Sequence, residues 1–246
     1  MKENFFSPIA KDYTRFRPRY PVELFHFLAS VAPSRSLAWD CATGSGQAAQ
    51  DLALHFDRVI ATDISDELLG QAAQHERITY RNANALDCGL PDHSIDLITV
   101  ANAMHWFHGV VFEREVRRVL RPNGIIAAWS FAYAEISPAI DRLTRRVHDE
   151  IVDPFWIEPN RIVENGYRDL YFPFDLVPTP PIHMGSLMDL AAIEGYMRTW
   201  SASVKYQKHH GVDPVSLVHE ELLEAWGDAE VVKEVNWRLN LRIGRV

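Results

Sequence analysis

The sequence predicts an α/β fold: a doubly wound, mostly parallel sheet with an antiparallel closing strand and a helical cap. Three observations predict it. Strand-like and helix-like segments alternate from Ser36 to Ser130; a glycine turn, Thr43-Gly44-Ser45-Gly46-Gln47, directly follows a strand-like run that ends in Asp40-Cys41; and Val235 to Val246 alternates apolar with polar residues. Strands and helices alternating at this spacing imply right-handed crossovers and a parallel sheet covered on both faces, whereas strict alternation marks a half-buried strand with an antiparallel neighbour.

Ser36 to Cys41 reads as the first strand and Gln47 to His55 as the helix after it, with Ala48, Leu52 and Phe56 spaced for one buried face. Arg58 to Asp63 is the second strand. Ser65 caps a helix running through Ala73, with Asp66 and Glu67 in the first turn, where negative side chains suit the helix dipole. Ile78 to Asn82 and Ile95 to Ala101 are the third and fourth strands. Val110 to Leu120 has helical spacing, and Pro122-Asn123-Gly124 turns the chain into a fifth strand, Ile125 to Ser130. From Tyr133 to about Tyr171 charges and aromatics increase, and Ile136, Ile140, Leu143 and Val147 mark a helix of an inserted cap. A proline turn at Pro178, Pro180 and Pro181 precedes an apolar run near Ile182; Leu187 to Met197 is again helical in spacing, and Val235 to Val246 is the closing strand.

Composition bounds the function. With 246 residues, 47% apolar and 24% charged, the chain has the make-up of an ordinary globular protein with one large core. A formal net charge of −8 argues against a nucleic-acid partner, because neutralising phosphates needs a basic face. No stretch approaches the roughly 18 apolar residues of a membrane span, so a cytoplasmic protein with no membrane partner is expected. Cys41 and Cys88 lack any paired metal spacing and are expected to remain thiols. His105, His108 and His148 have no ligand spacing either, so no metal is expected.

The glycine turn suits a nucleoside-containing cofactor. Gly44 and Gly46 permit tight curvature and close approach of a ligand, and the helix that follows presents its unpaired amides there. Gly44, Gly46 and Ala49 also satisfy a dinucleotide fingerprint, so the glycines alone leave two cofactor classes open. Asp40 favours one of them. A pyrophosphate beside its carboxylate would be repelled, whereas an amino or sulfonium group would be attracted. Asp40 also suits a plainer role, capping the helix or holding the loop through backbone amides, and the two roles can coexist. Asp63 follows the glycines at roughly the 20-residue spacing of a ribose-binding acid, since a carboxylate accepts from both ribose hydroxyls. Ile64 then offers adenine an apolar contact.

These residues form an ordered set. Asp-x-Ala-Thr-Gly-Ser-Gly-Gln from Asp40, Ala-Thr-Asp ending at Asp63, and Arg118-Val119-Leu120-Arg121-Pro122-Asn123-Gly124 are similar to three successive motifs of class I S-adenosylmethionine-dependent methyltransferases. Asn123 departs from the glycine usual there, and Asn84-Ala85 stands where the family has Asp-Ala. Arg17-Pro18-Arg19-Tyr20-Pro21 and Ala103-Met104-His105-Trp106-Phe107 resemble, more narrowly, the subgroup containing trans-aconitate methyltransferases.

The resemblance implies a Rossmann-like seven-stranded sheet and S-adenosylmethionine as cofactor. It divides the single domain into a lid and helix at 1–34, a cofactor-binding core at 35–131, a cap with a returning sheet strand over 132–234, and the final strand at 235–246. The cofactor residues it implies are Tyr13, Arg17, Asp40, Thr43, Gly44, Gly46, Gln47, Asp63, Ile64, Asn84, Ala85 and Asn102. Tyr20, His105 and Trp106 fall to the acceptor side. The expected activity is methylation of a small molecule, with O-methylation of a carboxylic acid leading. A carboxylate needs no general base, so His105 is a substrate-side candidate and no residue is assigned a catalytic role. The alternatives are a noncatalytic S-adenosylmethionine-binding protein and an NAD(P)-dependent dehydrogenase. The sequence leaves the oligomeric state open.

Overall fold

The computed structural model describes residues 15–131 and 133–246, so Tyr13 lies outside the described residues. The chain forms two compact units. A sheet unit comprises Tyr20–Phe131, Ile162–Ile182 and Leu239–Val246, and a helical unit takes the described parts of 1–19, 132–161 and 183–238. The described strands are β1 (Leu37–Cys41), β2 (Arg58–Asp63), β3 (Ile78–Asn82), β4 (Ile95–Ala101), β5 (Leu120–Ser130), β6 (Ala134–Glu135), β7 (Asp175–Leu176), β8 (Met184–Met188), β9 (Lys233–Trp237) and β10 (Asn240–Arg245).

The sheet unit is built on seven strands in the order β3-β2-β1-β4-β5-β10-β7. β1 to β5 pair in parallel, while β10 runs antiparallel to both β5 and β7. This is the doubly wound, mostly parallel sheet with an antiparallel last strand that the pattern predicts. The period-2 alternation of side chains divides the core between its two faces. Trp39, Ile98, Val100, Ile126 and Ala128 pack with Phe112, Val116 and Tyr167 on one side. Ala38, Leu97, Ile125, Ala127 and Trp129 pack with Leu24, Phe25, Ala48 and Leu52 on the other.

Several boundaries differ from the sequence reading, each for a local reason. The helix after β1 is Gln47–Leu52, and Leu54 and His55 then bond back three residues in a tighter turn. Ser65 caps its helix as expected, its hydroxyl accepting from the Leu68 amide at 3.3 Å. That helix stops at Leu69, with Gly70 at its end, rather than reaching Ala73. β5 starts at Leu120, which pairs with Ile95, so Pro122-Asn123-Gly124 forms an irregularity inside the strand rather than a turn before it. Asn123 takes a φ of +65° there, which asparagine tolerates better than most residues.

The closing strand is the largest correction. Val235 to Val246 is broken after Trp237: β9 joins the helical unit's three-stranded sheet, ordered β6-β9-β8, whereas β10 completes the large sheet. Val235 and Trp237 are buried in the first and Ile243 in the second, so one continuous alternation serves two sheets. In the helical unit, helices Pro138–Arg146, Leu190–Arg198, Ser201–His210 and His219–Trp226 accompany that small sheet. Phe16 packs directly on helix Leu190–Arg198, its ring 2.6 Å from where a Cβ on Gly195 would stand.

The amino-terminal edge of the large sheet is tied by ions. Asp96, at the start of β4, accepts from the Ser36 and Leu37 amides and from Arg121. Arg118 grips both Glu115 oxygens at 2.7 and 2.8 Å and also reaches Asp92 and the Leu90 carbonyl. Glu115 accepts the Cys88 amide as well. The Arg118 hydrogen bond foremost pulls the Glu115 carboxyl down to about 2. Since the folded value lies below the ordinary one, this stabilisation is present at neutral pH and lost as pH falls from about 4.5 toward 2. Glu115→Gln is therefore expected to destabilise the fold by about 2 kcal/mol at pH 7, discounted for the partial exposure of Arg118. Urea unfolding across this range should show the gap to wild type closing as pH falls, and equal stability at pH 7 would contradict it.

Candidate functional site

Parallel pairing brings the carboxyl ends of β1, β2, β3 and β4 to one edge, the edge at which open α/β sheets hold ligands. Asp63 stands opposite Asn82 in the β2–β3 register, and Asp40 lies opposite Ala61 and Thr99. The loop leaving β1 curls sharply: Ala42, Gly44 and Gly46 have φ of +57°, +58° and +85°. At Gly46 a side chain would run into the Tyr80 ring, whose hydroxyl receives Gln50 Nε2 at 3.0 Å and donates to the Ala73 carbonyl. At Gly44 an added Cβ would meet nothing within 4 Å, so the loop presents bare backbone to open space.

Asp40 lies beneath this loop with no exposed surface. One carboxylate oxygen accepts the Thr43 hydroxyl and the other accepts Thr99 Oγ1 at 2.7 Å. Direct contact between Asp40 and a ligand's cation does not match this geometry, because both flanking strands enclose the side chain and threonines occupy both oxygens. Its plainer role is the one observed: threonine hydroxyls tie it to the loop and to β4, and the Ala49 amide in the helix after the loop bonds to it as well. Burial pushes the Asp40 carboxyl up to about 6, against the lowering effect of the Thr43 and Thr99 bonds. It is thus largely ionised at neutral pH, and its charge still acts on the loop from below.

Asp63 is half-buried and ends β2 beside the loop. Its Oδ2 accepts the Gly44 amide and its Oδ1 the Ser65 amide, both at 2.9 Å. Each carboxylate oxygen has a second lone pair to offer a ribose hydroxyl. The Gly44 amide, which a dinucleotide's pyrophosphate would need, is already spent on a carboxylate. Ile64 beside it leaves 63% of its surface exposed, as an apolar contact for a base requires. Asn84 uses its Oδ1 to accept the Leu86 amide at 3.0 Å in a tight turn, and Ala85 is buried behind it. Asn102, after β4, adopts a φ of +51°, and its buried Oδ1 finds no hydrogen-bond partner among the described residues. Gln47 opens the short helix after the loop.

His105 and Trp106 sit in a single helical turn, Met104–Trp106, just beyond. His105 is buried, with Nδ1 3.3 Å from the Tyr167 hydroxyl and its ring 5.0 Å from Trp106. Burial, aided by His108, pushes its imidazole down to about 3, so it is neutral at physiological pH. Trp106 packs against the core on the Trp39 face. Tyr20 meets Trp129 and Phe131 edge-on at 5.3 and 6.3 Å in the sheet unit. Arg17 belongs to the helical unit, where it donates to Thr199 Oγ1 and the Thr199 carbonyl and lies 5.3 Å from the Tyr196 ring centre.

Thr99 and Tyr167 are the structural partners that sequence reasoning missed. Thr99 left a signal, a hydroxyl in the otherwise apolar end of Ile-Asp-Leu-Ile-Thr-Val-Ala; Tyr167, more than sixty positions from His105, left none.

A family profile described as a methyltransferase domain matches residues 39–128, from β1 into β5. A Dictyostelium discoideum protein provisionally named a methyltransferase is 32% identical over 240 residues, covering 94% of this chain and 91% of that protein. The chain belongs to the S-adenosylmethionine-dependent methyltransferases. The solved structure of a provisionally named type II methyltransferase from Anaeromyxobacter dehalogenans shares 40% identity with this methyltransferase, at a TM-score of 0.87 over 94% of this chain and 98% of the other. An uncharacterised methyltransferase of Mycobacterium tuberculosis is 29% identical over 231 residues, 90% of this chain and 89% of its own length. Among the described residues no group of three or more metal-ligating side chains occurs, and no helix is long and apolar enough to cross a membrane.

The raised value of Asp40 makes the folded methyltransferase hold a proton that the unfolded chain releases, so stability falls as pH rises from about 4 to about 6. Asp40→Asn is expected to flatten that slope, seen as a melting temperature nearly constant across the window. An unchanged slope would place the titration elsewhere. Ala42→Gly, relieving a left-handed alanine, should raise stability by up to about 1 kcal/mol, and a loss in chemical denaturation would show that the methyl contact outweighs the strain.

Proposed function

We propose that this methyltransferase transfers the methyl group of S-adenosylmethionine to a small-molecule acceptor, with a carboxylic acid as the leading class. The observation that carries the cofactor is the Asp63 carboxylate held against the Gly44 amide. A half-buried acid with lone pairs to spare, a glycine open on its ligand side and an orphaned Asn102 oxygen suit a ribose-bearing, positively charged ligand. Two carboxylates, one under the loop and one beside it, disfavour a pyrophosphate there by the same electrostatics.

Asp63 would bind the ribose, Ile64 and the Asn84-Ala85 turn would face the adenine, and Asn102 would take a polar group of the methionine end. S-adenosylmethionine supplies, when bound, a methyl group already activated by its sulfonium. What remains for the protein is to align the acceptor and exclude water, and alignment alone is worth up to about 7–11 kcal/mol in favourable systems. The acceptor class rests on likeness to the trans-aconitate subgroup in the Arg17–Pro21 and Ala103–Phe107 segments, and on a buried His105 whose imidazole, pushed down to about 3, is a weak base.

Asp63→Asn keeps an acceptor for Gly44 but removes the charge. It is expected to weaken S-adenosylmethionine binding in calorimetry by about 10- to 100-fold while changing stability by about 1 kcal/mol or less. Unchanged affinity would remove Asp63 from the site. S-adenosylhomocysteine formation across a panel of small acids, phenols and amines is expected first with acids. Binding without turnover on any of them would favour a noncatalytic binding protein.

A further inference from the structure

The two glycines of the turn are bare for different reasons. Asp40, Ala61 and Tyr80 stand side by side in the β1–β2–β3 register, so their side chains share the sheet face that helix Gln47–Leu52 covers. Ala61 contributes only a methyl, which leaves room for the Tyr80 phenol beside Gly46. A Cβ on Gly46 would stand 2.9 Å from Tyr80 Cε1 and 3.0 Å from Cζ, and nearer still to the hydroxyl oxygen. The place a side chain would take at Gly46 is thus filled by the protein's own tyrosine. At Gly44 the same place has nothing within 4 Å. One glycine admits Tyr80, and the other faces open space.

The phenol is fixed by its hydroxyl. The Ala73 carbonyl, which can only accept, lies 3.2 Å from Tyr80 Oη and 2.6 Å from Gln50 Nε2, so both groups donate to it. Gln50 Nε2 also donates to Tyr80 Oη at 3.0 Å, and the Gln50 backbone amide bonds the Gly46 carbonyl. Ala73 follows the helix that Ser65 caps. One hydroxyl therefore ties β3 both to the helix after the glycine loop and to the segment after Asp63. Asp63 ties the same two connections a second time, through the Gly44 and Ser65 amides. With both ties in place the loop cannot tilt without breaking one of them.

We propose that Tyr80 is a positioning residue for the methyl donor: its ring supports Gly46 and so holds the bare Gly44 backbone in place for the nucleoside. This rests on the S-adenosylmethionine reading and deepens it, by assigning the preorganisation of the loop to a residue of β3. Tyr80 acts through the loop and not by touching the ligand. A loop already held in its bound form is spared the ordering cost that a free loop pays on binding.

Two variants separate the ring from the hydroxyl, each read in the full protein by S-adenosylmethionine calorimetry and, without ligand, by hydrogen exchange of the Gly44 amide. Tyr80→Leu, which removes the ring, is expected to weaken binding by at least about tenfold and to speed Gly44 exchange by a similar factor, while amides in β4 and β5 exchange as in wild type. Tyr80→Phe, which keeps the ring, should hold affinity within about threefold of wild type. Affinity and Gly44 exchange both within about twofold of wild type in a folded Tyr80→Leu would overturn the proposal, and so would equal acceleration in β4 and β5, the mark of general loosening. Should Tyr80→Leu not fold, Gly46→Ala decides. Its methyl meets a phenol pinned at the hydroxyl in wild type but a ring free to tilt in Tyr80→Phe, and the backbone strain at Gly46 is common to both. The affinity lost on adding Gly46→Ala is therefore expected to be at least about threefold smaller in Tyr80→Phe than in wild type, and equal losses overturn the proposal. Wild type that binds no S-adenosylmethionine, with Gly44 exchange still faster in Tyr80→Leu, fails the cofactor reading and leaves the support of the loop by Tyr80 standing.

Discussion

The carboxyl edge of the sheet depends on one buried carboxylate. Asp40 ends β1, and its two oxygens take a hydroxyl from Thr43 on the loop and another from Thr99 on β4. Through those two bonds the loop is pinned to the strand that produced it and to the neighbouring strand. The Thr43 amide then bonds the Thr62 carbonyl on β2, and Gly44 presents its amide to Asp63. Three strands and the glycine loop thereby form one hydrogen-bonded assembly around a side chain with no access to water. An aspartate in such a place is costly to ionise, and its carboxyl is correspondingly raised. The two threonine donors keep that cost moderate.

This arrangement separates two tasks that both use charge. At the amino edge of the sheet, arginines and acids are matched: Arg121 with Asp96, and Arg118 with Glu115 and Asp92. Those pairs join strand starts and a helix end, and they neutralise one another. At the carboxyl edge the two loop carboxylates have hydroxyl and amide partners and no ion pair among the described residues, so negative charge is left to act on a ligand. A cationic methyl donor gains from that field, whereas a dinucleotide loses. The same edge carries a buried, neutral histidine beside a tyrosine brought from a distant segment.

Much of this was legible in the sequence. The alternation of apolar strands with amphipathic helices gave the parallel sheet, and Ser65 announced its cap, because both signals are local. The spacing from Gly44 to Asp63 placed an acid beside the loop because β1 and β2 are adjacent parallel strands. What sequence could not show depends on which strand meets which. Asp40 reads as a ligand-facing acid until Thr99, nearly sixty residues away, is seen to cover it. The break after Trp237 is invisible because β9 and β10 share one alternating pattern while serving different sheets. Arg118, which the sequence shows only as part of a family motif, is an anchor for Glu115 and Asp92.

The central claim is that the Asp63-tethered glycine loop receives the nucleoside of the methyl donor. A structure of the protein in complex with S-adenosylhomocysteine tests it most directly. The account predicts both ribose hydroxyls within hydrogen-bonding distance of the Asp63 carboxylate and the ligand in van der Waals contact with Gly44. A ligand bound away from the 42–46 loop, or a ribose held by residues other than Asp63, would contradict it.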